Sequence, residues 1–151
     1  MKKVALVIAG LVVLILGSGL FADRSNPPVE HEVKWDSDYT KTQFMASCAD
    51  CHSHETKWPW YSYVGPSAFL VAHHVEEGRE HFNISVANMN EAYESAEEVE
   101  EHKMPLEDYL TMHPEAVIPP DKFEEFVAGL KKTFPPEKEG HHEEHDEHEE
   151  H

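Results

Sequence analysis

The segment Cys48-Ala49-Asp50-Cys51-His52 holds the only two cysteines of the 151-residue chain, and it constrains the fold more than any other feature. Two thiols separated by two residues can form thioethers to the two vinyl edges of one haem, and the next histidine then falls beneath the iron as proximal ligand. A chain that does this must close a cavity over a very short segment. Two other chemistries use the same residue types. A Cys48–Cys51 redox disulfide calls for a βαβ pattern, which the flanking sequence lacks. A zinc site made of both thiols with His52 and His54 would crowd its ligands, because structural zinc usually spaces its histidines by about three to five residues. One covalently attached haem, haem c, is the leading reading.

The ends of the chain point the same way. Met1-Lys2-Lys3 is basic, and an apolar run from Val4 to Leu16 continues through Gly17-Ser18-Gly19 and Leu20-Phe21-Ala22 until Asp23 stops it. Positive charge ahead of an apolar segment orients it with its start in the cytoplasm, so residues 1–22 are predicted to be a signal peptide or signal anchor. Small residues would allow cleavage after Gly19 or Ala22, whereas the length, close to one bilayer crossing, favours a retained anchor. No cysteine stands directly after the run, so a lipoprotein anchor is not expected. Either route places the body in the periplasm or on the outer face of the cytoplasmic membrane, where c-type haem is attached in bacteria.

The formal net charge is −18. Acids crowd the stretch from Glu91 to Glu101 and the tail after Pro136. Nucleic acid and anionic membrane surfaces are therefore disfavoured partners, since phosphate contacts need Lys and Arg. A redox partner with a basic surface would be steered towards the chain.

Four segments are expected: the leader, an extended tether over 23–36 around Asn26-Pro27-Pro28, a domain over 37–134, and a disordered tail over 135–151. In the domain, Ser37 to Cys48 reads as helix, followed by a Trp/Pro/Tyr-rich loop. Pro66 opens a second helix, a position that suits its missing N–H, with Gly78 near its end. Asn83-Ile84-Ser85 reads as a turn and cap into a helix over Val86 to His102, which Pro105 stops. One helical turn is expected near Asp108 to Met112. Asp121-Lys122-Phe123-Glu124 reads as a capping box for a last helix to Lys132, with Phe123, Phe126, Val127 and Leu130 as its buried stripe. No strand alternation or internal repeat is visible. The fold class is all-α, a small helical domain around one haem.

These stretches together resemble the bacterial haem-binding domain family, small exported monohaem proteins related in layout to class I cytochromes c. The resemblance rests on Cys48-Ala49-Asp50-Cys51-His52-Ser53, Thr56-Lys57-Trp58-Pro59-Trp60-Tyr61-Ser62, Pro66, and His74-Val75-Glu76-Glu77-Gly78-Arg79. It continues in Asn83-Ile84-Ser85, Met104-Pro105-Leu106-Glu107-Asp108-Tyr109 and His113-Pro114-Glu115-Ala116, and covers Asn26 to Thr133. Phe69, where the family often has Trp, and the His/Glu tail depart from the pattern. The resemblance implies haem binding and a role in electron transfer.

Met104 is the best candidate for the sixth iron ligand, because it lies 52 residues beyond His52, precedes a proline, and matches the Met-Pro of cytochromes c. Methionine–histidine ligation raises a haem potential and suits electron transfer. Packing is the plain alternative for Met104. His74 is the main competitor, followed by an open or water-ligated iron; Met89, Met112 and His113 are weaker. Trp58, Trp60, Tyr61 and Tyr63 are candidates to wall the haem and hold its propionates, or else pack as ordinary aromatics. Arg79 could pair with a propionate or cap its helix. The carbonyl of Pro59 or Gly65 is expected to accept the His52 Nδ1–H. His54, His73, His81 and His102 are expected at the surface. In the tail, His141, His142, His145, His148 and His151 alternate with acids and suit weak zinc, nickel or copper binding, or simply a solvated tail.

The function this supports is a monohaem c-type cytochrome passing single electrons. It is not expected to be an enzyme, since no nucleophile–base pair or second metal motif appears. The rivals are a haem sensor or small-ligand binder with an open iron, a peroxide-reactive protein using His74 as distal base, and a metal-handling protein acting through its tail.

Overall fold

An apolar run without charges from Val4 to Ala22 can satisfy its backbone only within itself, and it forms α1, Lys2–Gly17, followed by a 3-10 turn at Ser18–Phe21. The structure, a computed structural model, describes residues 2–87 and 89–136. The five tail histidines proposed as metal ligands lie outside the described residues. Every regular element among the described residues is helical, in agreement with the all-α reading.

The tether is extended, yet it lies on the domain. Glu30 and His31 donate their amides to the Ser85 carbonyl at 2.9 and 3.1 Å, Val33 is buried, and Trp35 meets Phe44 and Phe134. Helix α2, Asp38–Ser47, starts where the Ser37 hydroxyl accepts the Thr40 amide at 3.1 Å, an N-cap that pairs one free donor of the first turn. A single turn, α3, Ala49–His52, follows directly. Helix α4, Gly65–His81, carries Pro66 in its first turn as expected and runs one residue short of Phe82.

The next helix is much shorter than the expected Val86–His102. A 3-10 turn at Ala92–Glu94 leads into α5, Ser95–Glu100. Val86 and Asn90 favour helix weakly, and the Ser85 carbonyl is already committed to the tether amides. Helix α5 then ends sharply. His102 takes a left-handed φ of 56°, its amide bonds the Val99 carbonyl at 3.1 Å, and the Lys103 amide bonds the Glu98 carbonyl at 2.9 Å. This is a Schellman ending, built on histidine instead of the usual glycine.

Helix α6, Glu107–Met112, matches the expected turn, and α7, Phe123–Thr133, is the last helix. The capping box does not form: a 3-10 turn at Pro120–Lys122 feeds α7, and no side chain caps it. Its apolar stripe is placed as expected, with Phe126, Val127 and Leu130 buried. They meet Phe44, Phe82, Val99 and Phe134 in one core, which α2, α5 and α7 enclose.

Candidate functional site

The Cys48-x-x-Cys51-His52 segment is folded at the junction of α2 and α3. Cys48 ends α2 with its amide on the Phe44 carbonyl at 2.8 Å, and its own carbonyl accepts the amides of Cys51 and His52 at 3.1 and 2.9 Å. That single turn turns both thiols and the imidazole to the wall of one cavity of about 440 Å³. The volume lies within the roughly 300–1,000 Å³ of ordinary cofactor sites.

The turn fits because α4 has no side chain at Gly78. A Cβ there would lie 2.8 Å from both the Cys51 Cβ and the Cys51 carbonyl oxygen, closer than packed atoms allow. Helix α4 therefore lies directly against the second cysteine.

His52 is buried and stacks on Phe82, with ring centroids 4.1 Å apart and planes 12° from parallel. Its Nδ1 lies 3.2 Å from the Phe82 carbonyl oxygen, so Nδ1–H donates there and Nε2 keeps its lone pair. The acceptor is thus Phe82, not the expected Pro59 or Gly65. Burial pushes the imidazole pKa below its usual 6.5, outweighing the raising effect of the Phe82 and Gly78 carbonyls. A neutral, oriented imidazole with a free Nε2 is what a metal requires.

Both cysteines are free thiols. Burial pushes Cys48 up to about 12 and Cys51 up to about 11, with the neighbouring Asp50 adding to the latter. Catalytic dithiols do the opposite, lowering a thiol to hold it as thiolate. This argues against a redox-disulfide centre, as does the absence of strands among the described residues.

Met104 and His74 also line the cavity, and they come from different elements. His74 lies on α4, one turn before Gly78. Met104 follows the Schellman ending of α5, where its amide bonds the Glu98 carbonyl at 3.1 Å, and it packs against the core. Met89, Met112 and His113 do not line the cavity. His113 binds the Tyr61 hydroxyl at 2.7 Å through Nε2 and Glu115 at 3.0 Å through Nδ1.

The aromatic loop is not part of the wall. Trp58 donates Nε1–H to Asn26 Oδ1 at 3.2 Å, Tyr61 holds His113, Tyr63 underlies Arg24, and Trp60 points to solvent. Arg79 does not face the cavity either. Its guanidinium donates to the Ser53 and Ser25 carbonyls, Asn26 Oδ1 and Thr56 Oγ1, all between 2.9 and 3.1 Å. It straps the tether to the loop after His52. Trp58, Trp60, Tyr61 and Arg79, expected to hold the cofactor, are not among the residues lining this cavity: Trp58, Tyr61 and Arg79 bond to other parts of the chain, and Trp60 is exposed.

Residues to which the sequence reading gave no role at the cofactor line the cavity or brace its wall. Tyr109 lines the cavity and donates to Asp50 Oδ2 at 2.9 Å; burial and the Asp50 charge hold its phenol far above the usual range. Asp50 Oδ1 accepts the Lys57 amide at 2.9 Å. Asn83-Ile84-Ser85 clamps the motif loop: the Ile84 amide bonds the His52 carbonyl at 3.0 Å, and Ser85 Oγ accepts the His54 amide at 2.8 Å. The Asn83 Oδ1 bond to the Ser85 amide is an Asx turn, a signal visible in the sequence. His81, expected at the surface, is exposed but stands at the cavity rim, 2.6 Å from Glu91. The cavity lining is mostly apolar, but Glu77, Glu91, Glu94 and Glu98 with no Lys or Arg among the lining residues make its rim acidic.

The donor set fits a haem. Two neutral thiols and one neutral imidazole share an apolar-lined cavity, with a thioether and a second imidazole on other parts of its wall. Among the described residues no group of three or more His, Cys, Asp or Glu is arranged to hold a bare metal ion. A family model described as a haem-binding domain matches residues 12–132. No curated protein and no solved structure matches the chain.

Proposed function

Since the chain belongs to the haem-binding domain family, we propose that it is a c-type cytochrome whose Cys48 and Cys51 carry one haem as thioethers and whose His52 Nε2 binds the iron from below. The observation that carries this reading is the placement of both thiols and the free Nε2 on one cavity wall within a single helical turn. Held there, a haem supplies one-electron exchange at its iron.

The surrounding residues orient and shield. Phe82 fixes the His52 tautomer through its carbonyl and the ring plane through stacking. Gly78 lets α4 close on Cys51, and Leu106, Val99 and Leu130 keep the wall apolar. Met104 is the sixth ligand in this reading, because it comes from an element separate from the α3–α4 side that carries the motif. The chain's role as electron carrier, not enzyme, and its place in the periplasm or on the outer face of the cytoplasmic membrane follow from the same reading. The partner is a redox protein with a basic surface, drawn by the acidic cavity rim.

Acid extraction of denatured protein made in cells competent for cytochrome maturation, followed by a pyridine haemochrome spectrum, tests the core claim. Colour and haem mass that stay with the polypeptide support it; colourless polypeptide of unmodified mass overturns it. In Met104→Ala the near-infrared methionine-to-iron band of the oxidised protein is expected to vanish, and its persistence would remove Met104 as ligand. His74 and His81 on the same cavity favour one second reading, an open iron beside a base. Carbon monoxide binding to reduced protein without displacing a native ligand would select it.

A further inference from the structure

The end of α1 is built into the domain. Gly19 and Ala22 are buried. A Cβ on Gly19 would lie 2.7 Å from the Gly65 nitrogen and 2.8 Å from the Tyr63 carbonyl oxygen, so two backbones touch and no side chain fits between them. Arg24 closes the joint. It donates to the Gly19 carbonyl at 2.8 Å and the Ser62 carbonyl at 2.9 Å, and lies 4.4 Å from the centre of the Tyr63 ring.

The contact reaches back along the apolar helix. The Cβ position of Gly65 is 3.1 Å from the Ile15 carbonyl oxygen. Lys2–Phe21 is long and apolar enough to cross a membrane. Ile15 lies roughly 10 Å before the end of that span. If the span crosses a bilayer, the start of α4 sits level with residues inside the outer boundary layer, not in bulk water.

The sequence around this joint suits such a place. Residues 58–75 contain no Asp, Glu, Lys or Arg, the longest such stretch after the leader in a chain that is 28% charged. Trp60 is 73% exposed, and Tyr63, Phe69 and Leu70 are exposed as well, with Leu20 and Phe21 preceding them at the end of the span. Along α4 the exposed side then changes from Phe69 and Leu70 to Glu76, Glu77 and Glu80. Trp and Tyr rings collect at headgroup level, and acids do not.

We propose that the shoulder formed by Trp60, Tyr63, Phe69 and Leu70 is a lipid-contacting surface, seated in the interfacial layer of the bilayer that α1 crosses. The occupant is the bilayer, because the shoulder is continuous with the exposed apolar surface of α1. The absence of charge lets a strongly acidic protein make this contact without electrostatic attraction. Helix α1 is then retained, since cleavage after Gly19 or Ala22 would remove the residue packed under Gly65. None of this rests on the haem reading.

The test uses full-length protein from the membranes of expressing cells, weighed intact and placed in phosphatidylcholine nanodiscs. One lipid carries a diazirine near the glycerol end of an acyl chain, and light-induced adducts are mapped by peptide mass spectrometry. An intact leader with adducts on both α1 and residues 58–72 is expected. Gly19→Leu should keep the α1 adducts and lose those on the shoulder by at least roughly threefold. A chain starting after Gly19 or Ala22, or adducts confined to α1, would overturn the proposal; if the variant does not fold, the wild-type map alone decides.

Discussion

The two ends of α4 differ in kind. The C-terminal half presents His74, Glu77, Gly78 and His81 to the cavity, while the N-terminal half presents Phe69 and Leu70 outward beside the leader joint. One helix therefore serves two surfaces with opposite composition. Its first half carries no charged residue, and its second half carries Glu76, Glu77, Arg79 and Glu80. The difference teaches that the exposed apolar residues of α4 are not a misplaced core stripe. They belong to another boundary.

Substitutions at the two ends should separate accordingly. Gly78→Val should cost most, about 3 kcal/mol, because the new side chain collides with Cys51 main chain that cannot move away. Urea unfolding and haem content would both register it. Wild-type stability in that variant would break the claim that the cavity end is closely packed.

Arg79→Ala comes next, at about 2 kcal/mol, through lost charge-assisted hydrogen bonds to the tether and the motif loop. The haem spectrum should stay unchanged. A shifted spectrum with unchanged stability would instead return Arg79 to a propionate. At the other end, Trp60→Ala should change stability by no more than about 0.5 kcal/mol and leave the spectrum as it was. A larger loss would show that the shoulder is domain core.

The smallest effect concerns pH. The Glu91 hydrogen bond raises the His81 pKa above its ordinary 6.5. Its folded-state pKa exceeds the unfolded one, so the stabilisation is complete below 6.5 and fades as pH rises through the raised value. The pair is exposed, so solvent screening limits it to at most about 0.5 kcal/mol. His81→Gln should remove that decline in the urea midpoint on crossing the window; an identical slope in both proteins would show that the pair contributes nothing.

What could be read in advance depended on distance along the chain. Cys48, Cys51 and His52 occupy one turn, so their convergence needed no tertiary information. The stripe of Phe126, Val127 and Leu130 was legible for the same reason. Trp58, Tyr61 and Arg79 were misplaced because each polar group chose among several long-range partners, and Asn26, His113 and Ser53 are not suggested by any spacing. The start of α5 was missed because the tether takes the Ser85 carbonyl, a contact across more than fifty residues. The capping box failed because Pro119 and Pro120 lead the chain into a 3-10 turn at the point where the box would begin.

From Gly65 at the joint to Gly78 beneath Cys51, α4 rises about 20 Å. Were α1 to cross a bilayer as proposed, that stiff rod would bound the altitude of its far end. A cofactor held at its far end would not roam on a tether but circulate in a thin slab parallel to the lipid, always the same way up. Partners confined to that plane would find it by a two-dimensional search, and a soluble one would have to descend to it.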